Sequence, residues 1–188
     1  MTQQKLPRRT LETARLLLRP FEEADAADLY EYARDPRVGP IAGWSVHTSV
    51  ENSREIIRTV FAAPNTFAVA DRETGKVVGS AGFTGRKRSD LPAPNDELGY
   101  ALSPAFWGRG LMPEAAAELL RYGFEALELA CIWCSHYTEN SQSRRVIEKC
   151  GFVPFLDGAV LDEPTGEEKP ARFYALTREQ WAERNADR

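Results

Sequence analysis

Residues 96–152 read DELGYALSPAFWGRGLMPEAAAELLRYGFEALELACIWCSHYTENSQSRRVIEKCGF. Short runs rich in apolar residues over 97–102 and 130–137 predict two strands. Apolar side chains at helical spacing over 112–127, and a polar segment over 141–149 that is stopped by a glycine, predict two helices. The order of strand, glycine-rich turn, helix, strand and helix predicts a β-α-β unit at the centre of the chain.

The rest of the chain adds strands and helices on both sides of this unit. The predicted outer strands lie at 16–19, 67–70, 77–83, 152–161 and 172–176, and an acidic loop at 162–169 joins the last two. The predicted outer helices lie at 22–34 and, capped by Thr48 or Ser49, up to about residue 62. Hairpins around a β-α-β unit predict one α+β domain over 1–188, with residues 1–12 and 178–188 at its periphery. Its sheet is expected to be mixed and mostly antiparallel, with about seven strands and about four flanking helices.

The composition limits the partners and the location of the protein. The 188 residues carry a net charge of −4, so the chain has no basic footprint for a nucleic acid. No apolar run approaches the roughly 20 residues that cross a bilayer. Residues 1–15 also lack the hydrophobic core of a signal peptide. We therefore expect a cytoplasmic protein without a nucleic-acid or membrane partner.

A turn with two glycines, Gly108 and Gly110, separates the strand at 97–102 from the helix at 112–127. Glycine lets a ligand approach the backbone, and a helix N-terminus presents unpaired N–H groups to an anion such as a pyrophosphate. A tight turn without a ligand is the alternative interpretation. A dinucleotide site is disfavoured because Pro113 replaces the third glycine of its motif, and a P-loop is disfavoured because no Gly-Lys-Ser/Thr follows.

The cysteines do not predict a metal site. Cys131 and Cys134 have the spacing of a metal or redox pair, but both lie in the predicted strand at 130–137. Side chains three positions apart on a strand face opposite ways, so the two thiols cannot hold one ion. No metal cofactor is predicted, and the three cysteines are expected to be free thiols.

Five short motifs follow one another along the chain. They are Glu97-Leu98-Gly99-Tyr100, Trp107-Gly108-Arg109-Gly110, Glu114-Ala115, Asn140-x-x-Ser143 and Glu148-Lys149-Cys150-Gly151-Phe152. In combination they resemble the GNAT superfamily of acyl-CoA-dependent N-acetyltransferases, and within it the Rim-type branch that acetylates the N-termini of ribosomal proteins. The resemblance covers residues 13 to about 176. It is specific for the superfamily and not for a substrate.

The resemblance implies a sheet splayed between its fourth strand, at 97–102, and its fifth, at 130–137. Acetyl-CoA, as co-substrate, would lie in that gap with its pyrophosphate at the glycine turn and its pantetheine arm along the open edge of the fourth strand. The implied cofactor-binding residues are Ala101, Leu102, Trp107, Gly108, Arg109, Gly110, Leu111, Met112, Asn140 and Ser143. Met112 stands where Gly or Ala is common. Ile147 stands where many members have a tyrosine proton donor, which excludes that acid here.

The chemistry of amide formation selects two candidate catalytic residues. The amine must be neutral to attack, and Glu97 is the candidate base because it opens the strand that leads to the cofactor edge. A solvated residue at a strand end is the alternative for Glu97. The resemblance places Ser143 where the Rim-type branch has the proton donor for the leaving thiolate, and capping of the following helix is its alternative. A backbone N–H near Leu102 is expected to hold the oxyanion.

These expectations lead to an enzymatic function and to a non-catalytic alternative. The leading function is transfer of an acetyl group from acetyl-CoA to a primary amine, by direct attack in a ternary complex. The acceptor is either a protein N-terminal α-amine or a small-molecule amine. The alternative is a non-catalytic acyl-CoA-binding or regulatory domain. Aromatic residues such as Trp44 and Tyr100 are candidates for the acceptor pocket or for the core, and the strands after Phe152 are candidates for a homodimer contact.

Overall fold

An open sheet of eight strands frames the protein in a computed structural model that describes residues 9–186. The strands are β1 (Leu11–Glu12), β2 (Leu16–Arg19), β3 (Thr66–Asp71), β4 (Val77–Phe83), β5 (Asn95–Leu102), β6 (Cys131–Tyr137), β7 (Val153–Asp162) and β8 (Glu167–Thr177). Their order is β1-β2-β3-β4-β5-β6-β8-β7, and every neighbouring pair except β5 and β6 is antiparallel. The predicted mixed α+β fold is confirmed. The additional strand, β1, has two residues and is too short to show a pattern.

In the part of the chain that the structure describes, five α-helices flank the sheet. They are α1 (Ala26–Ala33), α2 (Val50–Thr59), α3 (Leu111–Glu125), α4 (Ser141–Cys150) and α5 (Arg178–Ala186). Helix α2 begins where the sequence predicts, because the Ser49 hydroxyl accepts a hydrogen bond from the Asn52 N–H at 3.0 Å. No helix within residues 9–186 is long and apolar enough to cross a membrane.

The central parallel pair is short. Only Asn95–Glu97 of β5 pairs with Cys131–Trp133 of β6. Beyond Glu97 the two strands diverge, although β5 continues to Leu102 and β6 to Tyr137. This is the predicted splay between 97–102 and 130–137, and it leaves one edge of β5 without a strand partner.

The two faces of the sheet carry separate hydrophobic cores. Helix α3 supplies Ala115 and Leu119 to the larger core, and both side chains are fully buried. Helices α1 and α2 cover the opposite face through a second core that includes Leu29, Ile57 and Ala101. Since side chains alternate along β5, the strand contributes to both cores in turn.

The hairpin of β7 and β8 is longer than the sequence predicts. The expected acidic loop at 162–169 is wrong, because β8 begins at Glu167 and only residues 163–166 form the turn. The buried Asp162 carboxylate closes this turn. It accepts hydrogen bonds from the Thr165 hydroxyl at 2.6 Å and the Tyr137 hydroxyl at 3.0 Å, and it pairs with Lys169. The ladder can therefore extend to the pair Asp162–Glu167.

The sequence predicts that residues 1–12 and 178–188 lie at the periphery of the domain. Residues 1–8 and 187–188 lie outside the described residues. Of the rest, Leu11 in β1 is buried and pairs with Leu18 of β2. Helix α5 contacts the core through Trp181, whose ring lies 5.3 Å from that of Phe124.

The position of β5 depends on a glycine in the neighbouring strand. A side chain at Gly79 of β4 would overlap the carbonyl oxygen of Ala101 and place its Cβ 3.2 Å from the Leu102 Cα. Both atoms belong to the backbone, so the strand itself would have to move. We expect Gly79→Ala to lower the free energy of unfolding by about 1–3 kcal/mol, as overpacking does. Denaturant unfolding monitored by circular dichroism measures this change.

Gly158→Ala is the matched control on β7. Its Cβ would meet only Phe173, at an ordinary 3.4 Å, and its backbone is not left-handed. We expect this variant to stay within about 0.5 kcal/mol of the wild type. Equal stability of the two variants would contradict the close approach of β4 and β5.

Candidate active site

A cavity of about 840 Å³ occupies the gap between β5 and β6. Its walls come from the connection between α1 and α2, from β4, β5 and β6, and from the N-terminal ends of α3 and α4. The predicted site residues that line it are Glu97, Ala101, Leu102, Trp107, Gly108, Gly110, Leu111, Met112, Asn140 and Ser143. The fold therefore brings nearly all the predicted residues to one cavity.

The glycine turn forms the N-terminus of α3. Gly108 and Gly110 both have left-handed backbone conformations, with φ of 76° and 74°, which glycine adopts without steric cost. A Cβ at Gly108 would meet no atom within 4 Å, and a Cβ at Gly110 would come no nearer than 3.8 Å to Arg15. The turn thus leaves open space in front of the unpaired N–H groups of the first turn of α3, which is the geometry that suits an anion.

Arg109 is the one predicted cofactor residue that does not line the cavity. Its guanidinium lies 4.9 Å from the centre of the Phe106 ring, and its carbonyl oxygen accepts a hydrogen bond from Arg15. A contact of its backbone N–H with a ligand stays a prediction.

Two hydrogen bonds show which edge of β5 faces the gap. The Thr84 N–H donates to the Glu97 carbonyl at 3.0 Å, and the Ser103 N–H donates to the Val78 carbonyl at 2.8 Å. Both bonds lie on the side of β4. Because backbone groups alternate along a strand, the groups that point into the gap belong to Leu98, Tyr100 and Leu102.

This alternation changes the predicted pairing of the pantetheine arm. Ala101 lines the cavity, but its own N–H and C=O point toward β4, opposite Ser80. The backbone groups available for edge pairing are therefore those of Tyr100 and Leu102, and the expectation for Ala101 is wrong. The Leu102 carbonyl already accepts a hydrogen bond from the Trp107 indole at 2.9 Å, which ties the glycine turn to the strand.

Glu97 is buried, with 8% of its surface exposed, so the alternative of a solvated residue at a strand end is wrong. Its carboxylate accepts a hydrogen bond from the Thr84 hydroxyl at 3.0 Å, and the Arg86 guanidinium lies 3.5 Å away. Burial raises the pKa of Glu97, and the charge of Arg86 opposes that increase. A carboxylate with a raised pKa is a stronger acceptor of a proton, as a general base requires.

Asn140, and not Ser143, caps helix α4. The Asn140 side-chain oxygen accepts the Ser143 N–H at 3.0 Å, so the helix-cap alternative for Ser143 is wrong. The Asn140 amide also donates to the Ile41 carbonyl at 3.1 Å. The Ser143 hydroxyl is left to interact with Tyr100, whose hydroxyl oxygen lies 2.9 Å from it.

The connection between α1 and α2 forms another wall of the cavity. Its residue Gly43 has a left-handed φ of 85°, and a Cβ there would lie 2.9 Å from the Tyr137 hydroxyl of β6. Trp44 lines the cavity and also packs against the core under α1 and α2, and its ring lies 5.3 Å from that of His47. Burial lowers the pKa of His47, whose Nδ1 lies 2.8 Å from the Ser53 hydroxyl.

Sequence reasoning missed three neighbours of the site: Thr84 and Arg86 beside Glu97, and Ile41 beside Asn140. The register of β4 against β5 decides the first two contacts, and no motif in the sequence signals that register. Within residues 9–186 no group of three or more His, Cys, Asp or Glu side chains can hold a metal, and the three cysteines are free.

Comparison with known proteins identifies the family. The model of the acetyltransferase (GNAT) domain matches residues 15–153. An uncharacterized N-acetyltransferase of Bacillus licheniformis, p20, is 32% identical over 148 residues, which cover 76% of this chain and 82% of that protein. The alanine N-acetyltransferase of ribosomal protein uS5 from Escherichia coli is 26% identical over 160 residues, which cover 78% of this chain and 79% of that enzyme.

Solved structures agree with this identification. A GNAT-family acetyltransferase from Bacillus anthracis superposes with a TM-score of 0.79 at 25% identity, and the match covers 91% of this chain and 99% of that one. The splayed sheet, the glycine turn at the start of α3 and the matched family model lead to one conclusion. The chain belongs to the GNAT acetyltransferase family.

Proposed function

We propose that the protein transfers the acetyl group of acetyl-CoA to a primary amine by direct attack in a ternary complex. The observation that carries this proposal is the common cavity of Glu97 and Ser143. A buried carboxylate and a hydroxyl line the same gap, and the gap also reaches the N-terminus of α3. A protein that only binds acyl-CoA needs the anion site and the strand edge, but neither of these side chains.

The residues around the gap fit acetyl-CoA as co-substrate. Gly108 and Gly110 leave open space before the N–H groups of the turn, where the pyrophosphate would bind. The edge groups of Tyr100 and Leu102 would pair with the amides of the pantetheine arm. Asn140 uses one of its two amide hydrogens for Ile41 and keeps the other for the ligand.

The proposed reaction needs one proton acceptor and one proton donor. Glu97 accepts the proton that the amine nitrogen loses as the new C–N bond forms. Ser143 donates its proton to the sulfur as the C–S bond breaks, which avoids release of a free thiolate. Glu97 then returns its proton to the solvent and Ser143 regains one from it, so the net change is amine and thioester to amide and thiol.

The acceptor is a protein N-terminal α-amine or a small-molecule amine. A relative named as the alanine N-acetyltransferase of ribosomal protein uS5 supports the first choice. A relative from Aspergillus fumigatus named FsC-acetyl coenzyme A-N(2)-transacetylase is 40% identical, although only over 45% of this chain. Its name includes no ribosomal protein, which keeps the second choice open. Glu97 and Glu163 line the cavity together with Arg37 and Arg86. The Arg86 guanidinium lies 3.5 Å from the Glu97 carboxylate and 3.7 Å from that of Glu163, so the charge of the lining favours neither acceptor.

Glu97→Gln removes the proposed base and keeps the shape of the side chain. We expect turnover to fall by about 10²–10⁴, the usual contribution of general base catalysis. Burial raises the pKa of Glu97, so the wild-type kcat/KM should rise with pH through a value above the ordinary glutamate range, and the variant should lose that limb. Release of CoA thiol, followed from pH 5 to 9 with a panel of amines, measures both effects.

Asp96→Asn is the matched control, since it neutralises a buried carboxylate one residue away. Asp96 does not line the cavity, and asparagine retains an oxygen for the N–H groups of Gly85 and Glu97. The charge of Asp96 contributes to the raised pKa of Glu97, so its loss should move the limb of kcat/KM to lower pH. Above that limb, we expect the turnover of Asp96→Asn to stay close to that of the wild type. Unchanged turnover of Glu97→Gln across this pH range would remove Glu97 from the mechanism.

Gly110→Glu places a bulky negative side chain where the pyrophosphate would bind. We expect calorimetry to detect no binding of acetyl-CoA, because the new carboxylate blocks and repels the anion. Gly75→Glu is the control, because Gly75 has nearly the same φ, 73°, faces open space and lies outside the cavity. Normal affinity of Gly110→Glu would refute this location of the cofactor. Normal affinity without thiol release in the wild type would indicate a non-catalytic binder.

A further inference from the structure

Tyr100 of β5 contacts the proposed acid directly. Its hydroxyl oxygen lies 2.9 Å from the Ser143 Oγ and 3.2 Å from the Ser143 carbonyl oxygen. The side chain lies three positions after Glu97, so it leaves the opposite face of the strand and packs against the core under α3. Its phenol is neither the proposed base nor the proposed acid.

Tyr100 has one phenolic proton and two possible acceptors on Ser143, so the contact has two alternative hydrogen-bond arrangements. When Tyr100 donates to the Ser143 carbonyl, it can accept the proton of the Ser143 hydroxyl, and that proton is then held in the contact with Tyr100. When Tyr100 donates to the Ser143 Oγ, the serine proton is free to point into the cavity. Rotation of two hydroxyl groups interconverts the two arrangements without movement of the backbone.

We propose that Tyr100 is a positioning residue that acts through Ser143, by donating a hydrogen bond to its Oγ while that oxygen gives its proton to the leaving sulfur. This inference rests on the acid role proposed for Ser143. In the step concerned, the C–S bond electrons move to sulfur, the serine proton follows them, and negative charge develops on Oγ. A hydrogen bond to a charged oxygen is stronger than one to a neutral hydroxyl, so the contact with Tyr100 becomes stronger as the step proceeds.

Two features of the chain suit Tyr100 to this role. A serine hydroxyl is a weak acid, and the position where a tyrosine acid could stand on α4 holds the buried Ile147. Ser143 therefore needs a neighbouring group that stabilises its oxygen as the proton leaves, whereas a tyrosine donor would need less stabilisation. Burial also raises the pKa of Tyr100 well above its ordinary value, so the phenol keeps its proton at every pH where the reaction runs.

A double-mutant cycle tests the inference, using Tyr100→Phe, Ser143→Ala and the double variant. The protein is assayed with acetyl-CoA and a panel of α-amino peptides, amino acids and polyamines. Acetyl-CoA affinity is measured by calorimetry. We expect Tyr100→Phe to lower kcat about tenfold, equivalent to ~1.4 kcal/mol, with little change in acetyl-CoA affinity. In the Ser143→Ala background, the same substitution should change kcat by less than about twofold, because Tyr100 no longer has an acid to assist.

Tyr122→Phe is the control for loss of a tyrosine hydroxyl. Tyr122 is buried, donates to the Asn65 side chain at 2.9 Å and lies outside the cavity. We expect its kcat to equal that of the wild type, whatever its melting temperature. A Tyr100→Phe effect that is the same with and without Ser143, or that appears only in acetyl-CoA affinity, would overturn the inference alone. A wild-type protein that binds acetyl-CoA but acetylates none of the amines would overturn the proposed function, and this inference with it.

Discussion

The site depends on the early end of the parallel pairing between β5 and β6. Three residues of each strand are paired, up to Glu97 and Trp133, and the strands then separate. A longer ladder would close the cavity and use the edge groups of Tyr100 and Leu102. Where the two strands diverge, each is nevertheless held on its other side: β4 pairs with Leu98–Leu102 of β5, and β8 pairs with all of β6. The sheet can therefore carry an open, polar edge in its centre without losing its order.

The same divergence gives the two proposed catalytic groups access from opposite faces. Glu97 and Ala101 share one face of β5 by alternation, and Ala101 belongs to the core under α1 and α2. Tyr100 leaves the other face and reaches Ser143 at the start of α4. In the proposed reaction, the amine would meet the carboxylate from one side while the leaving sulfur would meet the hydroxyl from the other. The amine and the leaving sulfur would therefore not compete for the same space.

The sequence predicts the elements of this site better than their contacts. The strand at 97–102 and the helix at 112–127 lie within two residues of their observed bounds, because hydrophobic patterns and turn residues are local signals. The contact of Thr84 with Glu97 depends on the β4–β5 register, which no local pattern fixes. The sequence also left Ser143 with a helix-cap alternative. The structure assigns that cap to Asn140, three residues earlier, since either side chain type can fill the role.

Asn140 holds together two parts of the cavity lining, the start of α4 and the segment around Ile41. Its oxygen fixes the first turn of α4, and its nitrogen fixes Ile41 in the connection between α1 and α2. Both partners are backbone groups, so the amide joins two segments 99 residues apart in the chain without using another side chain. Its 9% exposure makes both bonds costly to break, because a buried polar group without a partner loses more than an exposed one. Ser143 and the Ile41 segment thus share one anchor, and the fold sets the position of the proposed acid before a substrate enters.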